Sequence, residues 1–352
     1  MSEMLNTQGS FIGTWNTNTP NFSAAPGIWS VTEAENFISQ RQWPGVVLRN
    51  NAWGYRAGGW VNTTAVYKYN FNTETAVSIT GLTHGTGSGS SISTSNTGYV
   101  MGGYTHQTYA QRIRYLNDTW SVVSSMALSP AGWITSRGLG SNFNRGYVLG
   151  GYDGSALYSI RMQNLTVETA ALLATSSRAS TMIGMIANNN KIYACCGGIG
   201  GGTNCTSANY ADILNLTTDA YSNGPNLGYC CGAMHVNTLP GATRGYVIGG
   251  YEIGAGCAGG GIQRSYYQWF ALVYATDAVI TLPVLSTLYP NGIFGSTTIS
   301  NARNGYMFGG QDGNGSTSAY TNTITRINFA TEAATNAGAD LIANDYYQQG
   351  LC

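Results

Sequence analysis

The sequence predicts an all-β protein, a single kelch-like β-propeller of six four-stranded blades, because a glycine-rich string recurs six times at a spacing near fifty residues. A four-stranded blade has that period. Composition agrees, since 48 of the 352 residues are glycine and only 9% are charged, against roughly 25% in ordinary soluble domains. Such a composition excludes helical bundles and coiled coils, which are rich in Ala, Glu, Lys and Leu.

The repeated string is a short apolar run that ends in two glycines. It reads GYRAGGW (54–60), GYVMGGY (98–104), GYVLGGY (146–152), YACCGG (193–198), GYVIGGY (245–251) and GYMFGGQ (305–311). The glycine pairs are Gly58 and Gly59, Gly102 and Gly103, Gly150 and Gly151, Gly197 and Gly198, Gly249 and Gly250, and Gly309 and Gly310. Paired glycines permit positive φ and close approach of neighbouring blades.

A second element follows each glycine pair and ends at an acidic residue, as in YKYNFNTETA (67–76) and RINFATEAA (326–334). Alternating apolar and polar residues predict a strand, a tight turn at the acidic residue and an outer strand. Short β-compatible stretches such as 137–144 and 294–301 precede the string, so each repeat supplies four strands. Residues 340–352 are expected to return to the first repeat and close the ring beside residues 45–60.

With its GYVxGG core and the Asn/Thr-rich turn after it, the chain resembles the kelch-repeat propellers over roughly residues 45–340. The outer-strand position that usually carries Trp in that family is aromatic in only two repeats. The six residues are Ala76, Trp120, Ala170, Tyr221, Val279 and Ala334. The resemblance therefore implies the propeller fold and is weaker to the eukaryotic adaptor subfamily.

Residues 1–44 lack the repeat and form a separate segment. The string PGIWSVTEAENFISQRQWPG (26–45) predicts a short helix that runs to Gln40. This string resembles a segment of tail-associated structural proteins of bacteriophages, which implies a virion-attachment segment with Trp29 and Trp43 as contact residues. The alternative interpretation is a helix that plugs the base of the propeller. We expect neither a signal peptide nor a transmembrane segment.

No residue pattern predicts an enzyme, a cofactor or a bound metal. The three histidines, His84, His106 and His235, lie in different repeats and do not form a copper site of the galactose-oxidase type. No sialidase Asp box is present. Arg145, Arg244 and Arg303 precede the GY strands, where structural hydrogen bonding is expected. A carbohydrate-active or oxidoreductase propeller is the alternative.

The cysteines cluster between residues 195 and 257. Cys195, Cys196, Cys230, Cys231 and His235 invite a zinc hypothesis, but adjacent strand residues point to opposite faces, so neither pair can direct both thiols at one ion. Buried small hydrophobic residues are the favoured interpretation, and a disulfide joining one member of each pair stays open.

The segments from the second glycine to the acidic turn lengthen from 15 residues in the first repeat to 27 in the fifth. They leave the same end of their strands and carry Gly, Ser, Asn and Tyr, a composition typical of adaptable recognition surfaces. The predicted ligand-binding residues are Tyr210, Tyr251, Tyr266, Tyr267, Trp269 and Tyr320. Unconstrained drift in loop length is the alternative.

The sequence thus favours a non-enzymatic phage virion protein, a tail fibre or baseplate-associated adhesin. Its propeller loops are expected to recognise a host-surface glycan or protein, or a neighbouring virion protein. A net charge of zero and only two lysines exclude a basic stripe for nucleic acid, and no membrane insertion is expected.

Overall fold

The structure is a computed structural model that describes residues 53–351 apart from a set of gaps. The gaps are 60–62, 88, 95–96, 104–108, 127–138, 143–144, 151–156, 181–182, 189, 196–197, 200–205, 208–209, 228–236, 242, 253–263, 266–267, 313–318 and 340–347. The chain divides at Asn51 and Ala52. The predicted N-terminal segment, with its helix and with Trp29 and Trp43, lies outside the described residues.

Six four-stranded antiparallel sheets make up the blades. Blade 1 contains β1 (Trp53–Ala57), β2 (Val66–Asn70), β3 (Thr75–Ile79) and β30 (Gln349–Leu351); blade 2 contains β4 (Ser90–Ser93), β5 (Thr97–Met101), β6 (Ala110–Arg114) and β7 (Thr119–Val122), followed by a 3₁₀ turn (Ser124–Met126). Blade 3 contains β8 (Leu139–Asn142), β9 (Arg145–Leu149), β10 (Leu157–Asn164) and β11 (Thr169–Ser180).

Blades 4 to 6 each carry an additional two-stranded ribbon. Blade 4 contains β12 (Gly184–Ala187), β13 (Lys191–Cys195), β16 (Ala211–Asn215) and β17 (Tyr221–Ser222), with the ribbon β14 (Gly198–Ile199) and β15 (Thr206–Ser207). Blade 5 contains β18 (Asn237–Pro240), β19 (Arg244–Ile248), β22 (Trp269–Val273) and β23 (Ala278–Thr281), with the ribbon β20 (Tyr251–Glu252) and β21 (Arg264–Ser265). Blade 6 contains β24 (Thr297–Ser300), β25 (Asn304–Phe308), β28 (Thr323–Asn328) and β29 (Ala333–Ala339), with the ribbon β26 (Gln311–Asp312) and β27 (Ala319–Tyr320).

The predicted fold, six four-stranded blades in a ring, is confirmed. In blades 2 to 6 the first strand is innermost, the GY strand is second and the acidic turn joins the third strand to the fourth. The innermost strands of successive blades contact one another around the whole ring. Within the described part of the chain, no helix is long and apolar enough to cross a membrane.

The ring is closed by the end of the chain, as predicted. Strand β30 pairs antiparallel with β1, so that Leu351 lies opposite Tyr55 and Gly350 opposite Arg56. Leu351 is fully buried, and Ser91 of blade 2 donates a hydrogen bond of 2.8 Å to the Gly350 carbonyl. Blade 1 therefore combines three strands from the beginning of the propeller with one from its end.

The glycine before the repeated tyrosine allows one blade to pack into the next. A Cβ on Gly146 would lie 2.6 Å from the side chain of Ile92 on the innermost strand of blade 2, and a Cβ on Gly305 would lie 2.5 Å from Leu239 of blade 5. Real Cβ atoms essentially never approach other atoms closer than 3.0 Å, so a larger residue at either position requires the neighbouring side chain or the blade to shift. The apolar core lies mainly between blades, as where Ile92 and Met101 of blade 2 cluster with Val148 of blade 3.

Ring closure gives a testable prediction at Gly350. A Cβ at this position would overlap the carbonyl group of Thr298 on the innermost strand of blade 6. Gly350→Ala is therefore expected to lower the free energy of unfolding by about 1–3 kcal/mol, measured by thermal and urea denaturation. Ser222→Ala, on an exposed outer strand, is the control. An unchanged melting temperature for Gly350→Ala would contradict this closure geometry.

Candidate functional site

The two ends of the blade strands form two chemically different faces. The turns between third and fourth strands, which contain Glu74, Asp118, Glu168, Asp219, Asp277 and Glu332, lie on what we name the clasp face. The double glycines and the ribbons lie at the opposite end, which we name the ribbon face. Antiparallel strand order places each set of connections on one side.

All six acidic turn residues adopt a left-handed backbone, with φ between 52° and 55°. Among the described residues they are the only ones other than glycine with positive φ. This conformation costs an L-residue roughly 1–2 kcal/mol. In four of the six turns an asparagine side chain supports the backbone, as where Asn70 accepts hydrogen bonds from the amides of Asn72 and Thr73. A glycine would relieve the strain, so the carboxylate must supply something that outweighs it.

Each carboxylate is bound by a tyrosine and a cation of the preceding blade, an arrangement that we name the clasp. Asp277 accepts a 2.5 Å hydrogen bond from the Tyr193 hydroxyl and forms a 2.6 Å ion pair with Lys191. The other clasps are Tyr55 and Lys68 with Asp118, Tyr99 and Arg112 with Glu168, Tyr147 and Arg145 with Asp219, Tyr246 and Arg244 with Glu332, and Tyr306 and Arg326 with Glu74. The last of these joins blade 6 to blade 1.

The cation of the clasp comes from either of two positions that face the same side of the sheet. In blades 1, 2 and 6 it lies directly opposite the tyrosine on the third strand, as Arg112 lies opposite Tyr99. In blades 3, 4 and 5 it precedes the tyrosine by two residues, as Arg145 precedes Tyr147. The predicted structural role of Arg145 and Arg244 is thus confirmed. In blade 6 the cation is Arg326 and not Arg303.

Burial and the clasp hydrogen bonds keep the tyrosines protonated. Burial, with the negative charge of the clasp carboxylate, raises the pKa of Tyr246 and of Tyr306 to about 12. It raises the pKa of Tyr193 as well. Burial tends to raise the pKa of Asp277, but hydrogen bonds from Lys191 and Tyr193 outweigh it and hold this pKa below its usual value. The stabilisation from Asp277 is therefore present above about pH 4 and is lost as the pH falls further.

Alkaline unfolding is expected as a consequence. Above pH 10, about the ordinary pKa of tyrosine, the unfolded chain loses phenolic protons while the clasped hydroxyls keep theirs. The free energy of unfolding should therefore fall between about pH 10 and 12, measured by urea denaturation at a series of pH values. Tyr246→Phe should be less stable than the parent at pH 8 but show a smaller fall above pH 10. An equal fall in both proteins would contradict the assignment.

The ribbon face is built differently, because blades 4 to 6 extend beyond their double glycines into the ribbons. In blade 6 the backbone amide and carbonyl of Gln311 exchange hydrogen bonds of 2.9 and 3.2 Å with Phe294, which anchors the base of the ribbon. In blade 5 the Gly250 amide donates to the Ile293 carbonyl at 2.9 Å. The ribbons of blades 5 and 6 therefore start from backbone that is fixed by the propeller.

The predicted ligand-binding residues differ in their position and exposure. Tyr320 lies on the blade 6 ribbon and is 43% exposed. Tyr210 is half-buried in a bridge to Asn226 at the start of the third strand of blade 4. Tyr251 lies on β20 opposite Ser265. Tyr266 and Tyr267, also predicted, are outside the described residues.

Trp269 is a correction. It begins the third strand of blade 5 and is only 1% exposed. Its ring stacks on Tyr246 with centroids 5.9 Å apart, and its indole N–H donates to the Pro283 carbonyl. A side chain that is buried, stacked and hydrogen-bonded in this way belongs to the core, and it cannot contact a ligand unless the blade unfolds.

One exposed aromatic residue was missed by the sequence prediction. Tyr109 is 38% exposed and occupies in blade 2 the position of Tyr210 in blade 4, since each precedes its acidic turn residue by nine positions. The shared tyrosine–alanine pair at 109–110 and 210–211 was the available signal. The pair marks the equivalent position in the two blades but does not encode the exposure of its tyrosine.

The described residues contain no group of three or more His, Cys, Asp or Glu side chains that could hold a metal ion. Cys195 is a buried free thiol, with its Sγ 3.8 Å from the Tyr193 carbonyl oxygen. Burial raises its pKa, so it behaves as the small apolar residue that was predicted. Cys196, Cys230, Cys231 and His235 lie outside the described residues.

Comparisons with known proteins show the fold and no family. No protein-family model matches the chain, and no curated protein matches its sequence. A solved structure titled "Structure of YjhT" is similar, with a TM-score of 0.60 and 14% sequence identity over 76% of this chain and 87% of that one. At this identity the likeness supports the propeller architecture alone.

Proposed function

We propose that the protein is a non-enzymatic recognition propeller whose ribbon face in blades 4 to 6 binds its partner. The observation that carries this proposal is the three ribbons, which extend from adjacent blades on one face. Unconstrained loop drift does not account for paired strands with fixed bases. A rigid scaffold that presents adjacent loops on one face is a common arrangement for binding sites.

The chemistry of the ribbons favours a neutral, polar partner such as a glycan. Six acidic and six basic residues are engaged in clasps at the opposite face. Among the residues of the six ribbon strands only Glu252, Arg264 and Asp312 carry a formal charge. Tyrosine, hydroxyl and backbone groups are left as the main contacts, and they suit the planar faces and hydroxyls of sugars.

Attachment to a phage virion is the finer part of the proposal. Its support is the resemblance of residues 26–45 to segments of phage tail-associated proteins, which implies contacts through Trp29 and Trp43 with tail or baseplate proteins. Antibodies against the chain should then label the tails of intact particles in electron micrographs. Labelling that is absent from particles, with free protein recovered in the lysate, would overturn the virion location while leaving the recognition face untested by that experiment.

The recognition face predicts the effect of removing its aromatic residues. Tyr320→Ala and the double variant Tyr266→Ala, Tyr267→Ala should each weaken adsorption to host cells or to a glycan panel by about tenfold or more, because aromatic anchors dominate binding energy. Adsorption of the parent should depend only weakly on salt.

Leu116→Ala is the matched control, since Leu116 is 98% exposed but lies on the clasp face. Circular dichroism and melting curves verify that each variant is folded. If both tyrosine variants adsorb like the parent, recognition by the ribbons is excluded. Turnover of a glycoside by the parent would favour the alternative, a carbohydrate-active enzyme. The described residues show no pattern that favours this alternative.

A further inference from the structure

A short loop between blades 1 and 2 carries a stacked aromatic pair on the ribbon face. The loop spans residues 81–87 and places the His84 ring against Tyr109, with ring centroids 4.1 Å apart and planes inclined by 16°. Tyr109 is 38% exposed, and Thr83 beside His84 is exposed as well. The pair lies outside the ribbon blades and has no part in the clasps.

The loop is fixed from several sides by hydrogen bonds. The Leu82 amide donates to the Thr64 carbonyl at 2.8 Å, and the Gly59 amide donates to the Thr86 carbonyl at 2.8 Å. The Thr86 hydroxyl donates to the carbonyl of Gly102 at 2.8 Å. Strand ends of both neighbouring blades therefore hold the backbone that carries His84.

Gln111 forms two further hydrogen bonds with this loop, which are separate from the strand pairing of its blade. Its side-chain oxygen accepts from the His84 amide at 2.9 Å, and its side-chain nitrogen donates to the His84 carbonyl at 2.8 Å. The side chain is only 2% exposed. Equivalent strand positions in the other blades carry unrelated residues, Tyr67, Arg161, Asp212, Phe270 and Thr325. The glutamine is thus specific to this loop.

We propose that Tyr109, stacked on His84, is a second binding site, which takes the apolar face of one neutral sugar ring of a glycan. An aromatic ring that is already fixed loses little conformational entropy on binding. Residues 81–87 and 109–111 contain no Asp, Glu, Lys or Arg, which favours a neutral ligand. One aromatic ring offers a contact area far smaller than the roughly 1,000 Å² of a specific protein interface. Its area matches that of a single sugar ring.

The test measures binding of the full chain to immobilised neutral oligosaccharides of hexose and N-acetylhexosamine, with sialylated and sulfated oligosaccharides as a second arm. Tyr109→Ala should weaken binding to the neutral arm by about tenfold, whereas Tyr109→Phe, which keeps the ring, should bind like the parent. Thr83 is exposed and adjoins His84, so Thr83→Glu should preserve the fold and weaken binding by placing a longer, charged side chain beside the stacked pair. Leu116→Ala on the clasp face should have no effect.

Several outcomes would overturn the proposal. These are a parent protein that binds no neutral oligosaccharide, a folded Tyr109→Ala or Thr83→Glu variant that binds like the parent, and binding that is confined to the sialylated and sulfated oligosaccharides. Tyr320→Ala separates this site from the ribbons, because it should leave the effect of Tyr109→Ala unchanged. Loss of the ribbon function alone would therefore not be mistaken for failure of this site.

Discussion

The hydrogen bond from a blade's tyrosine to the carboxylate of the next blade is the constraint on which the rest of the structure depends. Asp277, for example, is reached by Tyr193 and Lys191 of blade 4. The interaction explains the strained left-handed turns, because only a carboxylate at that position satisfies both groups. In the other five blades the clasp tyrosine also follows a glycine that receives an apolar side chain from the neighbouring blade, so the clasp and the apolar contact act on the same strand.

This arrangement also explains how a chain with so few charged residues can form an ion pair at every contact between blades. Twelve of the thirty charged residues are placed at the seams between blades, where each partly buried pair is supported by a phenolic hydroxyl. Individual surface ion pairs contribute little to stability. Here they act in six repeated contacts around a closed ring, and the ribbon face is free to carry mainly uncharged groups for recognition.

Sequence periodicity was sufficient for the blades, because the glycine pair and the acidic turn mark the same two points in every repeat. The left-handed backbone of Glu74 or Asp118 was not predictable, since glycine and asparagine are the residues expected there. Trp269 was misplaced for a related reason. The segment between Gly250 and Asp277, in which Trp269 lies, contains both a ribbon and a buried strand. Aromatic residues occur in buried strands and in binding sites alike, so the sequence does not distinguish the two. Tyr109 was missed because exposure depends on neighbours that the local pattern does not encode.

The pairing of β30 with β1 has a consequence for how the molecule reaches its native state. Leu351 and Tyr55 are separated by nearly the whole propeller in sequence, so the first blade lacks its innermost strand until the last blade has been synthesised and positioned. Closing so long a loop is entropically unfavourable before other contacts exist, and topologies with such distant pairings fold slowly. The five internally complete blades can form during translation, whereas the seam beside Gly54 stays open. Closing this seam requires strand β30, and it converts an open array of blades into a closed ring.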